Sequence, residues 1–206
     1  MQYADLNTNK KAFVFELDDV LFPVKDYDLQ IYYLFANFLE YQETFPPAAD
    51  LVQFMKKVYE HHGPEHIFDK AQQVYAFDKK YKENFERLNC QAKLPLKLLL
   101  YKNMLNLLQE IVVDRKQIFI VTAGNPEQQL NKIKHLEWHG LEPFLKVYFA
   151  DEIRPKPDAG VLQFLMAQSK LKPVDLMIIG SGDLDFEFAK NASVDFIPVT
   201  DLINNK

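Results

Sequence analysis

Ala12-Phe13-Val14-Phe15-Glu16-Leu17-Asp18-Asp19-Val20-Leu21 is the stretch on which the fold of this chain turns. Four apolar residues end abruptly in three carboxylates within four positions. A short, wholly apolar run is how a strand covered on both faces reads, because neither side of it meets water. Residues 118–122, 147–149, 176–180 and 196–199 have the same character. Helical spacing fills the intervals between them. Leu98, Tyr101, Leu105, Leu108 and Val112 precede the second run; Leu130, Ile133, Leu136 and Leu141 follow it; Val161, Leu162, Leu165 and Met166 lie before the fourth. Strands alternating with helices predict an α/β fold: a parallel sheet with helices on both faces, built from right-handed βαβ units. Such sheets place ligands at the carboxyl ends of their strands.

One interval does not fit a single crossover. About a hundred residues separate the first two strands. Ile31, Leu34, Phe35, Phe38 and Leu39 form one helical face, Leu51, Phe54, Met55 and Val58 a second, and Val74, Phe77, Tyr81, Phe85 and Leu88 a third. Pro46-Pro47 and Gly63-Pro64 punctuate them as turns. The reading is an α/β core of residues 1–25 and 93–206 carrying an inserted helical domain of residues 26–92. The aromatic residues of the insert, Tyr32, Tyr33, Phe35, Phe38 and Tyr41, read as its core.

Composition narrows the function. The 206 residues are 48% apolar and 26% charged, which excludes intrinsic disorder. A net charge of −5 supplies no positive field for phosphate backbones, so no nucleic-acid partner is expected. The most apolar region, 94–113, is broken by Pro95, Lys97, Lys102 and Glu110 and does not read as a membrane span. Residues 1–11 lack the apolar stretch of a secretion signal, and the one cysteine, Cys90, suits a reducing compartment. The expectation is a cytoplasmic protein.

The chemistry-bearing residues follow the strands. After the first come Glu16, Asp18 and Asp19; at the end of the second, Thr122-Ala123-Gly124-Asn125; after the third, Arg154-Pro155-Lys156-Pro157-Asp158; after the fourth, Ser181-Gly182-Asp183-Leu184-Asp185. A parallel sheet gathers these loops at one rim. There, carboxylates can hold Mg²⁺, while a hydroxyl, backbone N–H groups and a lysine can hold a phosphate. His61, His62 and His66, and the pair His135 and His139, lack acidic or cysteine partners at metal-site spacing.

This arrangement resembles the haloacid dehalogenase-like (HAD) superfamily, in its phosphatase branch with a C1-type helical cap. Glu16-Leu17-Asp18-Asp19-Val20 is similar to the family's D-x-D-x-(T/V) motif. Thr122 matches its second-motif hydroxyl, Lys156 its third-motif lysine, and 179–185 followed by Ala189-Lys190-Asn191-Ala192 its G-D-x-x-x-D motif. The insert falls where the cap belongs. The resemblance implies a Mg²⁺-dependent phosphatase acting on a small phosphorylated metabolite. A first-motif carboxylate attacks phosphorus, and the acid two residues on (here Asp18) transfers protons. Thr122, Ala123 and Lys156 hold the phosphoryl group. The metal sits among Glu16, Asp18, Ser181 and Asp185.

Two positions depart from that pattern. Glu16 stands where the family has its aspartate nucleophile, and the extra methylene carries the carboxylate roughly 1.2–1.5 Å further. Where a misplacement of about 1 Å can cost about a hundredfold, that matters. Ser181 stands where a metal-binding aspartate is expected, a neutral hydroxyl in place of a charge, with Asp183 as a substitute only in a shortened loop. Two functions therefore stand: a slow or impaired phosphatase using Glu16, and a non-catalytic relative that binds phosphate or a metabolite. Thr122 and Asn125 also have a plainer reading as caps of the following helix, and Asp185 as a loop anchor bridged to Lys156.

Overall fold

The computed structural model describes Tyr3, Leu6 and residues 9–203; the other residues at the two ends of the expected core lie outside it. Five parallel strands form the central sheet: β1 (Ala12–Phe15), β2 (Gln117–Thr122), β3 (Leu145–Phe149), β4 (Leu176–Gly180) and β5 (Asp195–Pro198), in the order β3-β2-β1-β4-β5. This is the α/β architecture the alternating pattern predicts. β1 is central, with Phe15 in register with Ile120 on one side and Ile179 on the other.

Strand periodicity of two explains the core. Ala12, Val14, Phe119, Val121, Leu176 and Ile178 share one face. They pack with Val161, Leu162 and Leu165 of one helix and Phe188 and Ala189 of another. The alternate residues Phe13, Phe15, Ile120 and Ile179 are buried too, so the inner strands are covered on both faces. The two outer strands differ from expectation. β3 and β5 are only partly buried, because an edge strand has one neighbour fewer.

The helices are α1 (Val24–Glu43), α2 (Ala48–His62), α3 (Ile67–Tyr75), α4 (Lys82–Gln91), α5 (Lys102–Val113), α6 (Pro126–His135), α7 (Ala150–Ile153), α8 (Gly160–Ser169), α9 (Gly182–Asn191) and α10 (Thr200–Ile203). Two sequence expectations need correction. The face of α5 is Met104, Leu107, Leu108 and Ile111, not the row from Leu98 to Val112, since the helix starts only at Lys102. The third helical face of the insert is not one helix. α3 stops at Tyr75, Ala76 takes a left-handed conformation at φ 55°, and a 3₁₀ turn at Lys79–Tyr81 restarts the chain into α4. Val74 is accordingly exposed.

The chain forms two compact units. One comprises residues 1–23, 99–129 and 136–206; the other, residues 24–98 and 130–135. The second is helical, with a core built on Phe35, whose ring lies 5.1–6.5 Å from those of Phe38, Phe68, Phe77 and Phe85. Tyr32 joins that core; Tyr41 and Tyr33 do not, being 85% and 50% exposed. Among the described residues no helix is long and apolar enough to cross a membrane.

Candidate active site

The carboxyl ends of β1, β2 and β4 bring Glu16, Thr122 and Ser181 to one rim of the sheet unit, and the loop after α7 brings Lys156 to the same place. Register does this: the Glu16 N–H donates to the Ile179 carbonyl at 3.1 Å, which sets the first carboxylate level with the end of β4. The chain then turns sharply. Leu21 N–H reaches back to Leu17 O, and Asp19 adopts a left-handed φ of 56°, a conformation aspartate tolerates better than most residues.

At the centre is Lys156. Its side chain is 1% exposed, and its ammonium lies 2.5 Å from Glu16 Oε2 and 2.6 Å from Asp185 Oδ1. Every other oxygen of those two carboxylates is also engaged. Glu16 Oε1 accepts from the Leu17 N–H at 2.7 Å, Glu16 Oε2 also from the Ala123 N–H at 3.3 Å, and Asp185 Oδ2 from the Ser181 N–H at 2.8 Å. Thr122, fully buried, lies at the same rim. A neighbouring loop amide, Gly124 N–H, donates to Asp151 Oδ2 at 2.9 Å. The N–H groups of this rim thus end on acids of the chain itself.

Gly180 makes the closest approach possible. A Cβ there would stand 2.5–2.7 Å from the Asp185 side chain, nearer than real atoms come. Only a residue without a side chain lets Asp185 fold back from the first turn of α9 onto the end of β4. Asp183 and Ser181 do not share in the network's side-chain contacts: Asp183 is exposed, and Ser181 contributes its backbone.

Charge balance follows from the burial. Loss of water is the largest influence on Glu16 and pushes its carboxyl above the ordinary range. Lys156 pulls it back, the charge of Asp185 pushes it up again, and the nearby Thr122 hydroxyl pulls it down. Burial would by itself lower the Lys156 ammonium, but the two carboxylates beside it outweigh that and hold it above its usual value. Lys156 therefore stays charged and supplies the positive charge of the rim.

A divalent cation does not fit this donor set. A hard cation needs several free oxygen ligands. Here both oxygens of Glu16 and of Asp185 accept from donors of the chain, and the ammonium occupies the space between them. No group of three His, Cys, Asp or Glu residues poised to hold a metal exists among the described residues.

Sequence reasoning missed Gln129. It is 2% exposed, in the first turn of α6, and its Nε2 donates to Thr122 Oγ1 at 2.6 Å and to Asp18 Oδ2 at 3.1 Å. Nothing in its type or spacing marks it. Asn125 takes the capping role, accepting from Glu127 N–H at 2.9 Å, whereas Thr122 belongs to the rim.

Comparison with known proteins agrees with the fold. A family model described as haloacid dehalogenase-like hydrolase matches residues 13–199. The chain belongs to that family. Solved HAD structures align over nearly the whole chain. YfnB of Bacillus subtilis, provisionally described as a HAD hydrolase and bound to magnesium, aligns with a TM-score of 0.59 at 15% identity, covering 91% of this chain and 87% of that one. A Lactobacillus plantarum protein, provisionally described as a phosphoglycolate phosphatase, gives 0.55 at 18% identity, covering 95% and 89%. A Streptococcus pneumoniae hydrolase gives 0.53 at 17%, covering 92% of each. Identities this low speak to the shared HAD fold. A search of curated proteins finds no match.

Proposed function

We propose that this chain is a HAD-family protein of phosphatase ancestry whose rim no longer supports rapid hydrolysis of phosphate monoesters. One observation carries the reading: both oxygens of Glu16, at the nucleophile position, are occupied by donors of the chain. A nucleophile must direct a lone pair at phosphorus in line with the leaving oxygen, at a distance of roughly 3–3.5 Å. A carboxylate curled onto its own Leu17 N–H and drawn to Lys156 is aimed elsewhere. Ser181 and the engaged carboxylates argue in the same direction against metal-assisted chemistry, so no step is assigned to Mg²⁺.

Each residue then has a definite task. Lys156 neutralises Glu16 and Asp185, the Leu17 and Ala123 N–H groups hold the Glu16 carboxylate, and Gln129 ties Asp18, the acid–base position, to Thr122. The helical unit corresponds to a C1-type cap by its place in the chain, and the ligand class is a small phosphorylated metabolite, in keeping with the descriptions of the relatives.

A second reading, a slow hydrolase with Glu16 as nucleophile, is favoured by the convergence of Glu16, Asp18, Thr122 and Lys156 on one rim. Turnover of a generic aryl phosphate at high protein concentration, with and without Mg²⁺ and with Glu16→Ala and Asp18→Asn beside wild type, separates the two: a slow rate lost in both variants is the slow hydrolase, and a residual rate that neither variant changes is no catalysis at this rim. The expected rate is far below about 1 s⁻¹, the low end of typical enzymes. A Mg²⁺-dependent rate of about 1 s⁻¹ or faster, abolished in Asp18→Asn, would overturn the non-catalytic reading.

A further inference from the structure

One face of α2, in the helical unit, shows Asp50, Gln53, Phe54 and Lys57, the i, i+3, i+4 and i+7 positions that line up along a helix. With Tyr75 at the end of α3 they border a hollow of about 240 Å³. Its apolar side is a run of three rings. Tyr75 lies 5.5 Å from Phe54, edge to face, and 6.2 Å from Phe45, which is 58% exposed. The Tyr75 hydroxyl donates to the Asp50 carbonyl at 3.3 Å and so keeps the middle ring against α2. Asp50 and Lys57 stand at opposite ends of the row, about 10 Å apart along the helix axis. Both are exposed, and neither forms an ion pair with another described residue. Other exposed charges of this unit pair locally, Lys25 with Glu60 at 3.0 Å and Lys80 with Asp78 at 3.3 Å.

We infer that this face of α2 docks antiparallel on the same face of a second copy of the chain, about a two-fold axis between Gln53 and Phe54. A two-fold contact requires a surface that complements itself. The row does so in one direction only. Turned end for end about its midpoint, Asp50 meets Lys57 of the second copy, Lys57 meets its Asp50, and the Gln53 stem lies on its Phe54 ring. Laid parallel, Asp50 would face Asp50 and Lys57 would face Lys57, and like charges oppose association. The three rings add apolar surface between and beside the charged pairs, and the hollow gives side chains of the opposing helix a groove to enter.

The test is sedimentation equilibrium of wild type, Asp50→Lys, Lys57→Asp and the double variant Asp50→Lys/Lys57→Asp, with far-UV spectra to establish that each is folded. Wild type should associate to a dimer with a Kd between about 1 μM and about 1 mM, as suits a small contact. Two-fold symmetry makes each charged pair occur twice. Either single exchange therefore sets like charges opposite one another at two places and should weaken association at least about tenfold. The double exchange restores both pairs with their signs reversed and should return the Kd to within about threefold of wild type. An equimolar mixture of the two single variants should also dimerise, because every cross pair is then opposite in charge, while neither variant does so alone. At about 1 M sodium chloride the screening length falls to about 3 Å, and the difference between wild type and the single variants should shrink. Wild type that stays monomeric at about 1 mM would overturn the inference, as would a dimer indifferent to both single exchanges or a double variant as weak as the single ones. Should an exchange unfold the chain, Asp50→Asn and Lys57→Gln take its place. Each removes one charge from both pairs and should weaken association about threefold; an unchanged Kd in both would overturn the inference.

Discussion

Replacing Lys156 with Met keeps most of the buried stem and removes only the charge that joins Glu16 to Asp185. The two ion pairs span 2.5 and 2.6 Å, and the three side chains are 1%, 11% and 4% exposed. Water cannot replace the ammonium at such burial. Removing one partner of a buried pair typically costs about 3–5 kcal/mol, because the charge left behind is uncompensated. Here two carboxylates are left, so the upper half of that range is expected, about 4–5 kcal/mol. That is a large share of the roughly 5–15 kcal/mol that holds a domain together. For a chain of this size it lowers the melting midpoint by roughly 8–20 °C.

The loss must depend on pH, and the sign can be worked out. Burial already holds the Glu16 carboxyl above its ordinary range, and Lys156 is the main influence pulling it down. Without Lys156 the folded-state value rises further above the unfolded one. Stability from the protonated form is then fully present below the unfolded value and lost as pH rises through the folded value. Lys156→Met should therefore be less impaired near pH 5 than near pH 8. Urea unfolding followed by the single, buried Trp138 gives the difference directly. Neutralising the stranded acids as well, with Glu16→Gln and Asp185→Asn, should recover most of the loss. A deficit below about 1 kcal/mol with no pH dependence would refute the closed network, since it would mean that the rim acids are hydrated.

Three other outcomes are expected. Gly180→Ala should cost about 2–4 kcal/mol in urea unfolding, because its Cβ would meet Asp185 at 2.5–2.7 Å and Asp185 is held by Lys156 and the Ser181 N–H; a loss under about 0.5 kcal/mol would show that Asp185 moves freely. Phe35→Ala should cost about 3–5 kcal/mol by the same assay, since four aromatic rings close on this fully buried side chain. In aryl phosphate turnover, Glu16→Asp and Ser181→Asp should each do little alone, while the double variant exceeds the product of the single gains, because a restored nucleophile and a restored metal ligand would act as one unit; purely multiplicative rates would count against it.

Much of this protein is legible in its residue order. The nearly all-apolar runs of β1, β2 and β4 announce a sheet covered on both faces, because a strand's neighbours above and below leave little room for a polar residue. Carboxylates, a hydroxyl and a lysine placed after successive strands announce a rim, because a parallel sheet sends every such loop to the same end. Local spacing decides these matters, so the sequence alone determined the fold class and the rim at which the candidate residues meet. It did not determine where an apolar period would be broken. Ala76 ends α3 and divides the third face of the insert, and Tyr41 points to solvent in spite of its aromatic neighbours. Nor did it determine the partners of the charged groups. Lys156 lies 140 residues from Glu16 and 29 from Asp185, and Gln129 reaches back 111 residues to Asp18. Only the tertiary structure decided that these acids face donors of the chain instead of open space. A hydrogen bond depends on tenths of an ångström between atoms that packing, not sequence spacing, brings together.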